Sequence, residues 1–364
     1  MLILDNAFVS DFLADFAEQS GRPVLDTPST RSRLSGRRIN WASKADSGPH
    51  YSTSENAIPL VAQGFFGEEI KRMVGLMKDK ARFREAIAGC YPTFRCVRVP
   101  LDALNAWTPD FYPFVLKPAV GFLSEGVYNV RTPEELARVK RDILDNAQRS
   151  AFSKAVVDKT LFIAETFLDG PELAADAFYL DNGTPVITNI YLHPFNGADD
   201  VSDRCYITSR SLLDRYLEPI RQAYATIGKT LGLSRIPVHA EFRDTASGIV
   251  PIEFNPLRFA GWCTTDLTWF AYHINQYQHY FDQRQPQFPE DDGCLHYFML
   301  AERPAGVEGK QCDYAALRQA VPGLVEMRPI DYNHNPLAAI NFGSVPGMAE
   351  IDTILKLDMA QFFH

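Results

Sequence analysis

The stretch His239-Ala240-Glu241-Phe242-Arg243, then Asp244 to Gly248, then Ile249-Val250-Pro251-Ile252-Glu253-Phe254-Asn255, reads as a β-hairpin with two unlike faces. Side chains alternate along a strand. Val238, Ala240 and Phe242 therefore fall with Val250, Ile252 and Phe254 on an apolar face, and His239, Glu241, Glu253 and Asn255 on a polar one. A five-residue turn that keeps Arg243 opposite Ile249 makes His239 face Glu253, with Glu241 diagonal to it at roughly 7–8 Å between backbones. Two carboxylates converging there repel, and one takes up a proton unless a cation holds both ionised. A hard divalent ion suits such oxygens, and Mg²⁺ typically combines one or two carboxylates with substrate phosphates. Pro251 lacks a ladder donor and points to a sheet edge. Taken alone, this polar face reads equally well as a solvated one, with Arg243 and Arg258 paired against it.

Two segments upstream carry related chemistry. Phe114-Val115-Leu116-Lys117-Pro118 is an apolar strand ending in a lysine, and Gly121, Ser124 and Gly126 follow in a loop whose backbone N–H groups can fold over phosphate oxygens. Leu161 to Thr166 is another apolar strand, reaching Glu165, and Asp169-Gly170-Pro171-Glu172 turns the chain. Such a linker between two β-lobes can present backbone groups and an acceptor to an adenine edge, with a second acid near ribose hydroxyls. Each segment alone is a common strand-to-turn junction.

Order and spacing together resemble the ATP-grasp superfamily in its carboxylate–amine ligase branch. MKDKARFREAI (77–87) resembles that family's D-K segment, FVLKPAVGFLSEGV (114–127) its K-P strand and phosphate loop, FIAETFLDGPELAADAF (162–178) its adenine-binding linker, and HAEFRDTASGIVPIEFNP (239–256) its metal-binding hairpin. The resemblance implies an α/β (α+β) ATP-grasp fold: a short N-terminal lobe and linker over 1–75, a small lobe with the phosphate flap over 76–165, and a large C-terminal lobe over 166–364. It implies ATP with Mg²⁺ or Mn²⁺. Lys80 and Lys117 then contact phosphates, Ser124, Glu125 and Gly126 form the flap, and Glu165, Phe167 and Leu168 hold adenine. Glu172 is the ribose partner, and Glu241, Glu253 and Asn255 hold metal. The implied activity activates a small carboxylate with ATP, releases ADP and joins an amine; phosphate transfer without an amine, or nucleotide binding with impaired catalysis, are the alternatives. The family's usual E-x-N-x-R ending is altered here, because Arg258 comes one residue late. Arg258 and Arg243 are both candidates for the transferred phosphate or the substrate carboxylate.

The remaining sequence frames that site. A chain of 364 residues exceeds one growing core and implies two or three lobes. A net charge of -9 gives no general attraction to nucleic acid, and the basic run Arg31 to Arg38 is short. No apolar stretch approaches the roughly 18 residues of a membrane span, and no leader is evident, which predicts a cytoplasmic protein working on small molecules. The six cysteines are spaced as reduced thiols, and a homodimer is left open. A strand at Leu2 to Leu4, a helix through Phe8, Phe12, Leu13 and Phe16 and an extended Pro23 to Leu25 form the first lobe. Residues 27–54 read as loop and Glu68 to Ile87 as helix. Thr132, Pro133 and Glu135 mark a helix start by a capping box. Asp181-Asn182-Gly183 marks a hairpin, Trp269 to Tyr280 a helix, Leu295 to Leu300 a strand, and Ile351, Ile354 and Leu355 a last helix.

Overall fold

The computed structural model describes residues 1–4, 8–120, 126–146, 158–196, 203–330 and 336–364. These residues form three sheets. The first is parallel, with β1 (Leu2–Ile3), β2 (Val24–Leu25), β3 (Trp41–Ala42) and β4 (Tyr51–Ser52) in the order β3-β2-β1-β4. The second is antiparallel, with β5 (Cys96–Pro100), β6 (Phe114–Val120), β7 (Tyr128–Val130) and β8 (Asp158–Thr166) in the order β5-β8-β6-β7. The third takes β9 (Glu172–Tyr179), β10 (Pro185–His193), β11 (Cys205–Thr208), β12 (Pro237–Thr245), β13 (Gly248–Pro256), β14 (Leu295–Glu302), β15 (Leu324–Pro329) and β16 (Leu337–Val345). Its order, β13-β12-β9-β10-β11-β14-β16-β15, leaves β13 at an edge, where Pro251 costs no ladder bond.

Helices cover these sheets. They are α1 (Asp11–Ser20), α2 (Pro28–Arg33), α3 (Ile58–Ala62), α4 (Glu68–Lys78), α5 (Lys80–Ile87), α6 (Pro133–Asn146), α7 (Arg210–Leu231), α8 (Leu267–Tyr272), α9 (Gln276–Phe281), α10 (Tyr314–Ala320) and α11 (Met348–Leu355). One face of β9 and β12, through Leu173, Ala175, Ala177, Val238, Ala240 and Phe242, is buried under α7, and α4 and α5 add Met73, Met77, Phe83 and Ile87 to the same core. That core backs the hairpin. Among the described residues no helix is long and apolar enough to cross a membrane, and the six cysteines are free.

Several expectations need correction, each for a local reason. Residues 27–54 are not simply loop: Thr27 caps α2 by accepting from the Thr30 amide at 3.1 Å, with Pro28 opening the helix, and β3 and β4 follow. Those start signals match Thr132-Pro133 but precede no apolar periodicity, so they were silent. The helix from Glu68 to Ile87 is two helices, because the Asp79 side chain leaves α4 to accept from the Ala81 and Arg82 amides at 3.0 and 3.1 Å. This break makes Lys80 the first residue of α5. The helix at Trp269 to Tyr280 is likewise α8 and α9, parted by His273 at φ 55°. Arg31, Arg37 and Arg38 of the basic run pair with Asp26, Asp11 and Glu18, so their charge is spent within the lobe.

Candidate active site

The hairpin exists, but its register differs from the one expected. Thr245 pairs with Gly248, which shortens the turn, and Arg243 pairs with Val250 rather than with Ile249. A bulge at Ile252 then adds one residue to β13, so that Glu241 faces Glu253 directly and His239 faces Asn255. Cross-strand partners share a face, so the bulge also moves Val250 off the apolar face assigned to it and leaves Ile252 half-buried. On β9, Ala174 lies opposite Glu241.

Burial raises the Glu241 pKa well above the usual range, and the charges of Glu253, Glu172 and Asp203 raise it further. Burial acts on Glu253 too, but Lys80 at 2.7 Å and the Asn255 amide at 2.9 Å hold it ionised, well below the usual range. The two facing carboxylates are thus pushed in opposite directions. Among the described residues no three His, Cys, Asp or Glu side chains form a ready metal cage. Two facing carboxylates and an amide fit Mg²⁺ that completes its shell with phosphate oxygens and water.

Lys117 on β6 and Glu165 on β8 meet at 2.7 Å, both buried. Burial would raise the Glu165 pKa, but Arg84 and Lys117 lower it below the usual value. Glu165 is therefore a fixed anion. Gly126 lies at φ 77° against Pro118, while Ser124 and Glu125 fall outside the described residues. Phe167 and Leu168 are half-buried in the linker to β9, where the Phe167 amide donates to the Pro113 carbonyl at 3.3 Å.

At the far end of that linker Glu172 accepts from Arg243 at 2.7 Å and meets His193 at 2.9 Å. Arg243 also donates to the Gly170 carbonyl at 2.9 Å. The structure engages Arg243 with the ribose candidate, whereas Arg258 lies elsewhere. Gly170 is where linker and hairpin come closest: a Cβ there would stand 2.0 Å from the Asp244 carbonyl oxygen, at φ 132°. Gly170→Ala is expected to cost about 3 kcal/mol in backbone strain and overpacking, read as a lowered denaturation midpoint. A change under about 0.5 kcal/mol would contradict that close approach.

Arg258 returns toward Glu241 and Glu253 despite its late position. Leu257, buried, sits at φ 66° and absorbs the extra residue, and its carbonyl accepts from the Ser52 amide at 2.6 Å. Arg258 then pairs with Glu55 at 3.3 Å, within electrostatic reach of Glu253 and Glu241. Its Nε is buried and meets no acceptor among the described residues. Glu55 also pairs with Lys78. Glu55 lies just past the stretch 27–54 read as loop, and no motif in the sequence marks it. Arg210, which opens α7, is held by Asp214 at 2.9 Å and the Pro289 carbonyl at 2.8 Å, which is ordinary surface pairing.

Lys117 acts on Glu253 electrostatically, and Arg258 on both Glu253 and Glu241, so these groups of the small and large sheets are neighbours. Residues 110–266 match the family profile of the ATP-grasp domain. By sequence, no curated protein matches the chain. By structure, an L-amino acid ligase from Bacillus licheniformis aligns over 100% of this chain and 97% of its own, at 16% identity and TM-score 0.64. N5-carboxyaminoimidazole ribonucleotide synthetase from Thermotoga maritima aligns over 100% and 98%, at 15% and 0.64. Phosphoribosylglycinamide synthetase from Anaerococcus prevotii aligns over 100% and 98%, at 14% and 0.61. Residues 110–266 thus carry an ATP-grasp domain by profile, and the chain as a whole shares the ATP-grasp fold of these structures.

Proposed function

We propose that the chain is an ADP-forming carboxylate–amine ligase, acting on an amino acid or another small carboxylate through an acyl phosphate. The observation that carries this reading is Glu241 facing Glu253 on the hairpin, with Lys80 and Lys117 alongside. ATP and a carboxylate are both anions, and water alone keeps them apart. Mg²⁺ or Mn²⁺ on Glu241, Glu253 and Asn255 supplies charge neutralisation at the phosphoryl group being transferred.

The chain's own residues do the rest. Lys80 and Lys117 exchange their carboxylate partners in part for ATP phosphates. Glu165 with the Phe167 and Leu168 backbone takes the adenine edge. Glu172, oriented by Arg243 and His193, accepts from the ribose hydroxyls. Arg258, with its open Nε, takes the transferred phosphoryl group or the substrate carboxylate. Ser124, Glu125 and Gly126 close over the phosphates and exclude the water that would hydrolyse an acyl phosphate. Amine joining is supported by the names of the ligases this fold resembles.

An ADP-release screen with Mg-ATP against amino acids and other carboxylates, with and without amines, tests this reading. ADP and phosphate that appear only with a carboxylate and an amine together, plus the joined product by mass, are expected. AMP and pyrophosphate would contradict it. A stable phosphorylated product formed without an amine would make the protein a phosphotransferase.

A further inference from the structure

Arg84 belongs to none of the phosphate, adenine or metal groups above, yet it touches Glu165 and the strand that carries Glu253 and Asn255. It lies one turn after Lys80 on α5 and is 4% exposed. Its Nε donates to Glu165 Oε1 at 2.6 Å, Nη1 to the Pro251 carbonyl at 2.7 Å and Nη2 to the Ile252 carbonyl at 2.8 Å. The Phe94 ring covers the guanidinium at 4.2 Å.

The two carbonyls belong to the β13 bulge, and the bulge decides where the metal ligands point. Before it, Phe242 pairs with Pro251. Continued without interruption, that register would pair Ala240 with Glu253, and a one-residue slip carries a strand's side chains to the opposite face. Glu253 would then enter the apolar core beside Ala240, and Asn255 would follow it. The extra residue at Ile252 returns both to the face of Glu241. An edge strand has no outer neighbour to hold such an irregularity, and Arg84 supplies the donors.

We propose that Arg84 is a positioning residue that couples nucleotide recognition at Glu165 to metal binding at Glu253 and Asn255. The proposal rests on the ATP and Mg²⁺ reading above. A guanidinium suits the role because its planar fork serves three acceptors at once, which an ammonium on a flexible stem does not do in fixed geometry.

The test is ADP binding to the full chain by calorimetry, with and without Mg²⁺, in wild type, R84M and R84K. Wild type should bind ADP more tightly when Mg²⁺ is present. In R84M that gain should fall at least about tenfold, the usual scale for groups that orient metal ligands. R84K keeps a cation beside Glu165, so its metal-free ADP affinity should stay near wild type while the Mg²⁺ gain remains reduced. This split separates positioning from general damage to the fold, and R84K decides alone if R84M does not fold. A wild-type gain in either folded variant would overturn the role of Arg84 and leave the ATP site standing. Failure of wild type to bind ADP with Mg²⁺ would overturn both.

Discussion

Glu253→Gln is expected to lower ATP turnover by about 10³-fold while the fold persists. Glu253 is the ionised member of the facing pair, held so by Lys80 and Asn255. A neutral amide binds a hard cation weakly and offers Lys80 no charge. Losing several kcal/mol of metal-borne stabilisation, at about 1.4 kcal/mol per factor of ten, gives that magnitude. Gln keeps the length of Glu and an acceptor oxygen, so far-UV circular dichroism and cooperative unfolding should be retained. Near-normal turnover in an ADP-coupled assay would remove Glu253 from the site.

Glu241→Gln should move two readouts in opposite directions: activity is lost to a similar extent, while the metal-free protein becomes more stable at neutral pH. Burial and three neighbouring acids raise the folded-state pKa of Glu241. The folded protein therefore holds a proton that the unfolded chain has already released, and stability falls as pH climbs from the ordinary carboxylate range through the raised pKa. Glu253, with its pKa depressed, acts in a different window: its contribution is present above the ordinary range and is lost only as pH falls well below it. Thermal unfolding of the metal-free protein across pH, wild type against Glu241→Gln, checks the sign. A variant that melts lower than wild type at neutral pH would show that Glu241 is not under this strain.

The parts of the site that follow from side-chain alternation were legible in the residues themselves. The hairpin, its polar face and the edge position of Pro251 needed only period-two patterning and the chemistry of proline. The register was not legible, because a bulge is one residue of backbone irregularity and leaves no mark on hydrophobic pattern. Ile252 looks like any other apolar strand residue, and what holds its carbonyl is Arg84, 168 positions earlier. Arg258 is similar: its late position is visible, but the left-handed turn at Leu257 that compensates for it is not typical of a leucine. Glu55 was hidden for another reason. It lies just past the loop read over 27–54, and it matters only because β4 docks against Leu257 and brings Glu55 to Arg258. The break at Asp79 was readable in principle, since an Asp that can cap the following amides precedes Lys80, but the apolar pattern of α4 and α5 runs on across it.

The most direct test of the account is calorimetric titration of ADP into the metal-free and Mg²⁺-loaded wild-type protein at mildly acidic pH, in buffers of different ionisation enthalpy. If the facing Glu241 and Glu253 bind the metal that bridges to nucleotide phosphates, Mg²⁺ should strengthen ADP binding at least about tenfold. Forming the ternary complex should also release protons, because Glu241, whose pKa is raised in the metal-free protein, is deprotonated when it ligates. ADP binding that is indifferent to Mg²⁺ and takes place without proton release would contradict the assignment of the hairpin as the metal and phosphate site.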